Sequence, residues 1–208
     1  SWFHTGAFLS LERILDQFAD EHWDEEMRRQ GHVVVSVEVP LPDARLITAP
    51  GLDPGLIDDF SGQEWREALR ACKGTAVRME TFAKDAPLVA PTPDQLKLEL
   101  TPFATSTHNC VIELIQPKGK NKYAVYVVKE SEALTYTYDR EIDNPRIGHK
   151  LNIKFDQYAN VLEAASVVYP RLKPDLALPS ETQQAQLPTL VSYTRNTFTD
   201  DIDTDADY

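Results

Sequence analysis

The feature that most constrains this chain is a change of hydrophobic period at Gly74. Before it, apolar residues recur at helical spacing; after it, they alternate as in strands facing a core on one side. Ser61–Lys73 is the clearest helical segment. Trp65, Ala68, Leu69 and Cys72 fall on one stripe and are expected to be buried against the β part. Ser61 and Glu64 have the spacing of a capping box, in which each side chain satisfies a backbone N–H of the other residue. Gly74 is a natural C-terminal stop. A second helix is expected over 11–29, within Ser10 to about Gln30. Leu11, Ile14, Leu15, Phe18, His22 and Trp23 share a face there, Ser10 serves as the cap and Gly31 ends the pattern. His32–Val39 reads as a short strand. Pro40–Gly55 contains Pro40, Pro42, Pro50 and Pro54 and reads as a loop.

Beyond Gly74 the candidate strands are Ala76–Phe82, Leu96–Leu100, Cys110–Gln116, Tyr123–Lys129, Leu134–Asp139, Lys150–Asp156, Leu162–Tyr169 and Leu190–Thr194. Leu134, Tyr136 and Tyr138 alternate with polar residues, as a half-buried strand requires. Lys118-Gly119-Lys120-Asn121 suits a hairpin turn, and a second Pro-rich loop covers Pro170–Pro188. Short spacings between strands favour antiparallel pairing over helical crossovers. The expected fold is mostly β (α+β): an antiparallel sheet formed by residues 75–208, with a small helical and loop part, residues 1–74, packed on it as one structural unit.

Composition narrows the partners. The 208 residues carry a net charge of -12. An acidic surface repels phosphate backbones and anionic lipid, so neither nucleic acid nor a membrane surface is an expected direct partner. No apolar run approaches the ~20 residues of a membrane-spanning helix. SWFHTGAFLS lacks the basic and long apolar regions of a signal peptide. An opening without Met and an ending in DIDTDADY are expected of a piece cut from a larger protein. Cys72 and Cys110 lie in apolar patterns, far apart in sequence, and read as buried free thiols rather than as a metal pair or a disulfide.

The common catalytic signatures are missing: HExxH, GxSxG, a phosphate loop and the dinucleotide glycine fingerprint. Histidines 4, 22, 32, 108 and 149 are scattered. One pattern resembles the Arg, STS and ExE order of ADP-ribosylating toxins: Arg78, Thr105-Ser106-Thr107 and Glu130-Ser131-Glu132. In those enzymes the arginine and serine hold NAD and the last glutamate stabilises positive charge developing on the ribose. Here the middle element is TST, and Glu130 and Glu132 read as solvated residues at a strand end. Arg78, Ser106 and Glu132 are therefore expected to be dispersed, with no shared pocket. The tail places Asp201, Asp203, Asp205 and Asp207 at alternate positions, oxygen donors of the kind Ca²⁺ takes. It lacks the glycine and the distal glutamate of an EF-hand loop, so it reads as a solvated acidic tail. No catalytic, cofactor-binding or metal-binding residue is assigned.

Four stretches carry a family resemblance: WFHTGAF at Trp2–Phe8, ALRACKGTAVRMETFAKD at Ala68–Asp85, EALTYTYDREIDNPRIGHKLNIKFDQYANVLEAASVVYPR at Glu132–Arg171, and QAQLPTLVSYTRNTFTDDIDTDADY at the end. In this order and spacing the chain resembles the B component of the insecticidal toxin complex (Tc) family, in its middle-to-C-terminal region beside the Rhs/YD-repeat shell. The resemblance is weakest across Gly31–Gly62 and Ala86–His108. DQYANVLEAASVVY is similar to a YD-type strand-turn-strand, with Ala159 where a glycine is usual; Asn160 is expected to take the left-handed conformation instead. The resemblance implies a secreted toxin assembly. Its B and C components form a hollow β-shell around the cytotoxic end of C, and a propeller in B docks on a pentameric A component that injects the payload through a channel. It also implies that this segment is structural, without catalytic residues or cofactors. Two alternatives stand beside it: an ADP-ribosylating enzyme using Arg78, Ser106 and Glu132, and a free-standing β adhesion module.

Overall fold

The Ser61–Glu64 pair closes as its spacing implies. In the computed structural model, which describes residues 1–7 and 17–199, Ser61 N–H donates to the Glu64 carboxylate at 2.9 Å and Glu64 N–H donates to Ser61 Oγ at 3.3 Å. Helix α2 (Gly62–Ala71) starts from this box. Leu69 and Cys72 are buried on the sheet, but Trp65 is only half-buried. Its ring meets Phe60 edge-on at 6.0 Å, at the margin of the contact.

Among the described residues the sheet has eight strands: β1 (Trp2–Phe3), β2 (Arg45–Thr48), β3 (Ala76–Thr81), β4 (Ala104–Gln116), β5 (Val125–Thr137), β6 (Arg146–Phe155), β7 (Val161–Val168) and β8 (Leu190–Arg195). The order is β1-β3-β4-β5-β6-β7-β8, and all these pairs are antiparallel. The mostly β, antiparallel expectation holds. The exception is β2, which runs parallel to the half of β4 that β3 leaves open, from Arg45↔Val111 to Thr48↔Leu114. The predicted Pro40–Gly55 loop thus contains a strand, because its prolines flank Arg45–Thr48 and leave those backbone donors available.

Five further expectations are corrected. Leu96–Leu100 alternates like a strand, yet helix α3 spans Pro93–Glu99. Thr92 and Gln95 make a second capping box, with Pro93 in the first turn, and these local bonds outweigh the alternation. The predicted helix over 11–29 is interrupted. After a 3-10 turn at Ala19–Glu21, His22 is extended (φ -71, ψ 157), and helix α1 covers only Trp23–Arg29. Trp23 is buried, stacks edge-on against Tyr138 at 5.6 Å and donates its N–H to Glu80. Those tertiary contacts set where the helix begins. Ser10 to Asp16, and the acidic tail from Asp201, lie outside the described residues. His32–Val39 is extended without a ladder; Val39 N–H donates to the Tyr136 hydroxyl instead. Tyr123–Lys129 and Leu134–Asp139 are not two strands but one, β5, with Glu130-Ser131-Glu132 in its middle. Within the predicted loop Pro170–Pro188, helix α4 spans Ser180–Ala185.

Two cores use opposite faces. Asn109 pairs with Glu132 and Cys110 with Glu130, so the bulge adds Ser131 on β5 while β4 keeps its alternation. Thr105, Thr107 and Asn109 therefore face one way and Ser106, His108, Cys110 and Ile112 the other. On the first face Trp23, Met27, Val34 and Leu41 pack against Leu134, Tyr136 and Tyr138. On the second, Ala68, Leu69 and Cys72 of α2 pack against Cys110 and Ile112. Residues from the N-terminal third thus contribute to both layers.

The turn between β6 and β7 departs from its predicted geometry. Ala159 itself is left-handed, at φ 67, and Asn160 is not. Asp156 accepts from Tyr158 N–H, Asn160 N–H and Asn160 Nδ2 at 2.8, 2.8 and 2.9 Å. Asn160 is held by this clamp, so the positive φ falls on Ala159.

Candidate functional site

Three polar clusters hold Arg78, Glu132 and the Ser106 and Glu130 pair, and each takes its position from the strand alternation. The first is buried under the N-terminal layer. Arg78 on β3 lies opposite Thr107 of β4. Its Nη1 donates to Glu38 Oε2 at 2.7 Å and to Thr107 Oγ1 at 3.1 Å, its Nη2 to Glu38 Oε1 at 3.2 Å, and its Nε to Glu80 Oε1 at 2.6 Å. Glu38 also receives bonds from Thr105 Oγ1, the Tyr138 hydroxyl and Trp23 Nε1, at 2.7, 2.8 and 3.1 Å. Burial pushes the Glu38 carboxyl up, but the bonds and charge of Arg78, with Thr105 and Tyr138, outweigh it and hold the carboxyl below the usual carboxylate range. Glu80 goes the other way: burial raises it more than Arg78 lowers it. Burial and the Glu38 charge both push the Tyr138 phenol up. With a side chain 5% exposed and all three of its nitrogens engaged, Arg78 acts as an internal strut between the N-terminal layer and the sheet.

The second cluster lies farther along the same face. Glu132 accepts from Asn109 Nδ2 at 3.0 Å and pairs with His149 Nε2 at 3.0 Å, while His149 Nδ1 meets the Tyr169 hydroxyl at 3.1 Å. Glu132 is 13% exposed, not the solvated strand end its sequence context implies. Beside it is a largely apolar cavity of about 730 Å³, lined by residues including Val39, Leu134, Tyr136, Ile147 and Leu172.

The third cluster is on the opposite face. Ser106 Oγ lies 3.1 Å from His108 Nε2, and His108 Nδ1 lies 2.7 Å from Glu130 Oε1. These residues border an open depression of about 620 Å³. In a serine, histidine and carboxylate series the imidazole can take the serine proton while the carboxylate orients it. Acyl transfer also needs donors aimed at a developing oxyanion. Ser106 sits in the middle of the sheet, paired with Met79 on one side and Thr135 on the other, so its neighbouring backbone amides are committed to the ladders.

The three residues of the ADP-ribosylation pattern are therefore divided. Arg78 and Glu132 lie on one face and Ser106 on the other. The bulge at Ser131 also separates Glu130 from Glu132, which an unbroken strand would have placed side by side. Among the described residues, no group of three His, Cys, Asp or Glu is placed to hold a metal ion. Sequence reasoning missed Glu38, Glu80 and His149. Glu38 and His149 carry no local signal, since their partners are brought to them by distant strands.

Comparison with known proteins adds the following. The model of the insecticide toxin TcdB middle/C-terminal region matches residues 67–204. No curated protein matches the chain significantly. Among solved structures, the crystal structure of TcdB2-TccC3 is similar over 94% of this chain and 9% of that one, with a TM-score of 0.62 and 19% identity. A Tc holotoxin pore of Photorhabdus luminescens, carrying a mutation in TccC3, is similar over 95% and 8%, with a TM-score of 0.61 and 16% identity. The crystal structure of TcdB2-TccC3-Cdc42 gives 95% and 9%, 0.60 and 18%. At these identities the structural likeness is one of fold. The chain spans less than a tenth of the length of these matched chains.

Proposed function

The chain belongs to the family of the insecticide toxin TcdB middle/C-terminal region, and from that premise we propose that it is a non-catalytic wall segment of a Tc-toxin B component. It contributes strands to a hollow β-shell that encloses the cytotoxic end of the C component. The rest of the B protein connects that shell to the pentameric A component, through which the payload leaves. The assembly is secreted. Residues 1–74 and 75–208 act as one structural unit. The likeness in fold to TcdB2-TccC3 and to a Tc holotoxin pore supports this reading.

The observation that carries it is the state of β8. This strand pairs with β7 along its whole length, from Val168↔Leu190 to Glu163↔Arg195, and among the described residues no strand follows it in the sheet order. Every residue of β8 is exposed, among them Leu190, Val191 and Tyr193 at 54%, 63% and 59%. A free-standing protein protects such an edge with charges, prolines or a covering element; a wall segment continues into the next strand. Charge repulsion from a surface at net -12 also disfavours binding to anionic membranes.

The test places Val191→Lys and Tyr193→Lys together in the complete B component co-expressed with its C partner. The expected result is a shell that assembles poorly or leaves the enclosed C-terminal segment open to protease. Full assembly and full protection would refute a continuing wall at β8. Binding of the isolated 208-residue chain to target cells would favour the adhesion module.

A further inference from the structure

The two cysteines are 38 positions apart in sequence, yet their sulfurs lie 3.8 Å from each other. Cys72 is the C-terminal cap of α2, and Cys110 is in β4, in the ladder between its pairing with β3 and its pairing with β2. Both are buried, at 1% and 5% exposure, in the core that joins the helix to the sheet. Two thiols in contact across the boundary between two elements differ from two cysteines that merely fill space.

We propose that Cys72 and Cys110 form a reversible disulfide that clamps α2 onto the sheet in an oxidising medium and releases it in a reducing one. A bond of about 2.05 Å requires each sulfur to move by roughly 0.9 Å, within the reach of small side-chain rotations. Cys72 closes the last turn of its helix, next to Lys73 and Gly74, which are exposed. Fraying of that turn is the route by which an oxidant enters, since helix ends open more readily than central strands.

The chemistry balances with a low-molecular-weight disulfide such as glutathione disulfide as oxidant. The Cys110 thiolate attacks one glutathione sulfur, forming a mixed disulfide and expelling a glutathione thiolate. The Cys72 thiolate then attacks the Cys110 sulfur and expels the second glutathione. The two thiol protons pass to the departing thiolates, so two protein thiols and one glutathione disulfide give one protein disulfide and two glutathiones. Cys110 is the better initial nucleophile. The contact with Cys72 favours its thiolate, and although burial opposes the charge, the nearby His4 imidazole favours it. The same contact, with burial, pushes the Cys72 thiol up.

The test treats the purified 208-residue chain with glutathione disulfide, or with dithiothreitol as the reduced reference. Intact mass, alkylation in denaturant and peptide mapping are then measured. The expected product is a monomer lighter by about 2 Da, with no alkylatable thiol and a peptide linking Cys72 to Cys110. Its melting temperature rises by about 10 °C over the reduced form, as a loop of this length predicts for an unstrained bridge. Cys72→Ser and Cys110→Ser each abolish the redox-dependent shift; their melting temperatures under dithiothreitol separate that effect from ordinary destabilisation. Two alkylatable thiols after oxidation, stable glutathione adducts, or disulfide-linked dimers as the main product would overturn the proposal.

Discussion

Replacing Ala159 with glycine stabilises the chain. Ala159 has φ 67 in the turn between β6 and β7, and the left-handed conformation costs an L-residue about 1–2 kcal/mol. Glycine removes that cost but is freer in the unfolded chain, which takes back about 0.4–1 kcal/mol. Loss of a half-buried methyl takes back a few tenths more. The net expectation for Ala159→Gly is a gain of roughly 0.5 kcal/mol. Urea unfolding followed by far-UV circular dichroism reads it as a higher midpoint with an unchanged slope, because the surface exposed on unfolding is the same. The gain depends on the Asp156 clamp. Asn160 bonding, against a small cost of burial, holds the Asp156 carboxyl below the usual carboxylate range, so the clamp is complete at neutral pH and loosens as pH falls through that lowered value. In an Asp156→Ala background the turn can relax, Ala159 can leave the left-handed region, and the benefit of glycine should disappear. An unchanged or lowered midpoint for Ala159→Gly in the intact chain would refute the strain and the clamp together.

Leu69→Ala should cost about 2–5 kcal/mol in a denaturant titration, since the side chain is 8% exposed against the sheet; a change below about 0.5 kcal/mol would mean the stripe does not bear on the core. Glu38→Gln should destabilise by roughly 3–5 kcal/mol by leaving Arg78 with an incomplete set of buried partners. Because the folded Glu38 carboxyl is lowered, its contribution is present above the ordinary carboxylate range and lost as pH falls through the lowered value, so Glu38→Gln should show a weaker loss of stability on acidification than the parent. Nicotinamide release from NAD should stay at the buffer rate for the parent chain. Release above that rate, lost in a Glu130→Gln, Glu132→Gln double variant, would restore the enzyme alternative.

The sequence by itself determined what nearest neighbours decide. The Ser61–Glu64 box fixes the start of α2, Gly74 stops it at φ +87, and alternation around Leu134, Tyr136 and Tyr138 marks a strand with one buried face. These depend on bonds spanning three or four residues and on the two-residue repeat of an extended backbone, so they are written locally. The family resemblance adds a longer pattern of the same legible kind. Tertiary structure alone decided the rest. The four residues of β2 become a strand only because half of β4 is open beside them. Glu38 meets Arg78, Thr105 and Tyr138 across separations of 40, 67 and 100 residues. One extra residue at Ser131 turns Glu130 and Glu132 to opposite faces, and the packing of α2 on β4 brings two distant thiols into contact. Each of these follows from pairing between segments far apart in the chain, where the energy comes from burial and ladder register, and neither is encoded in the residues next to the one being read.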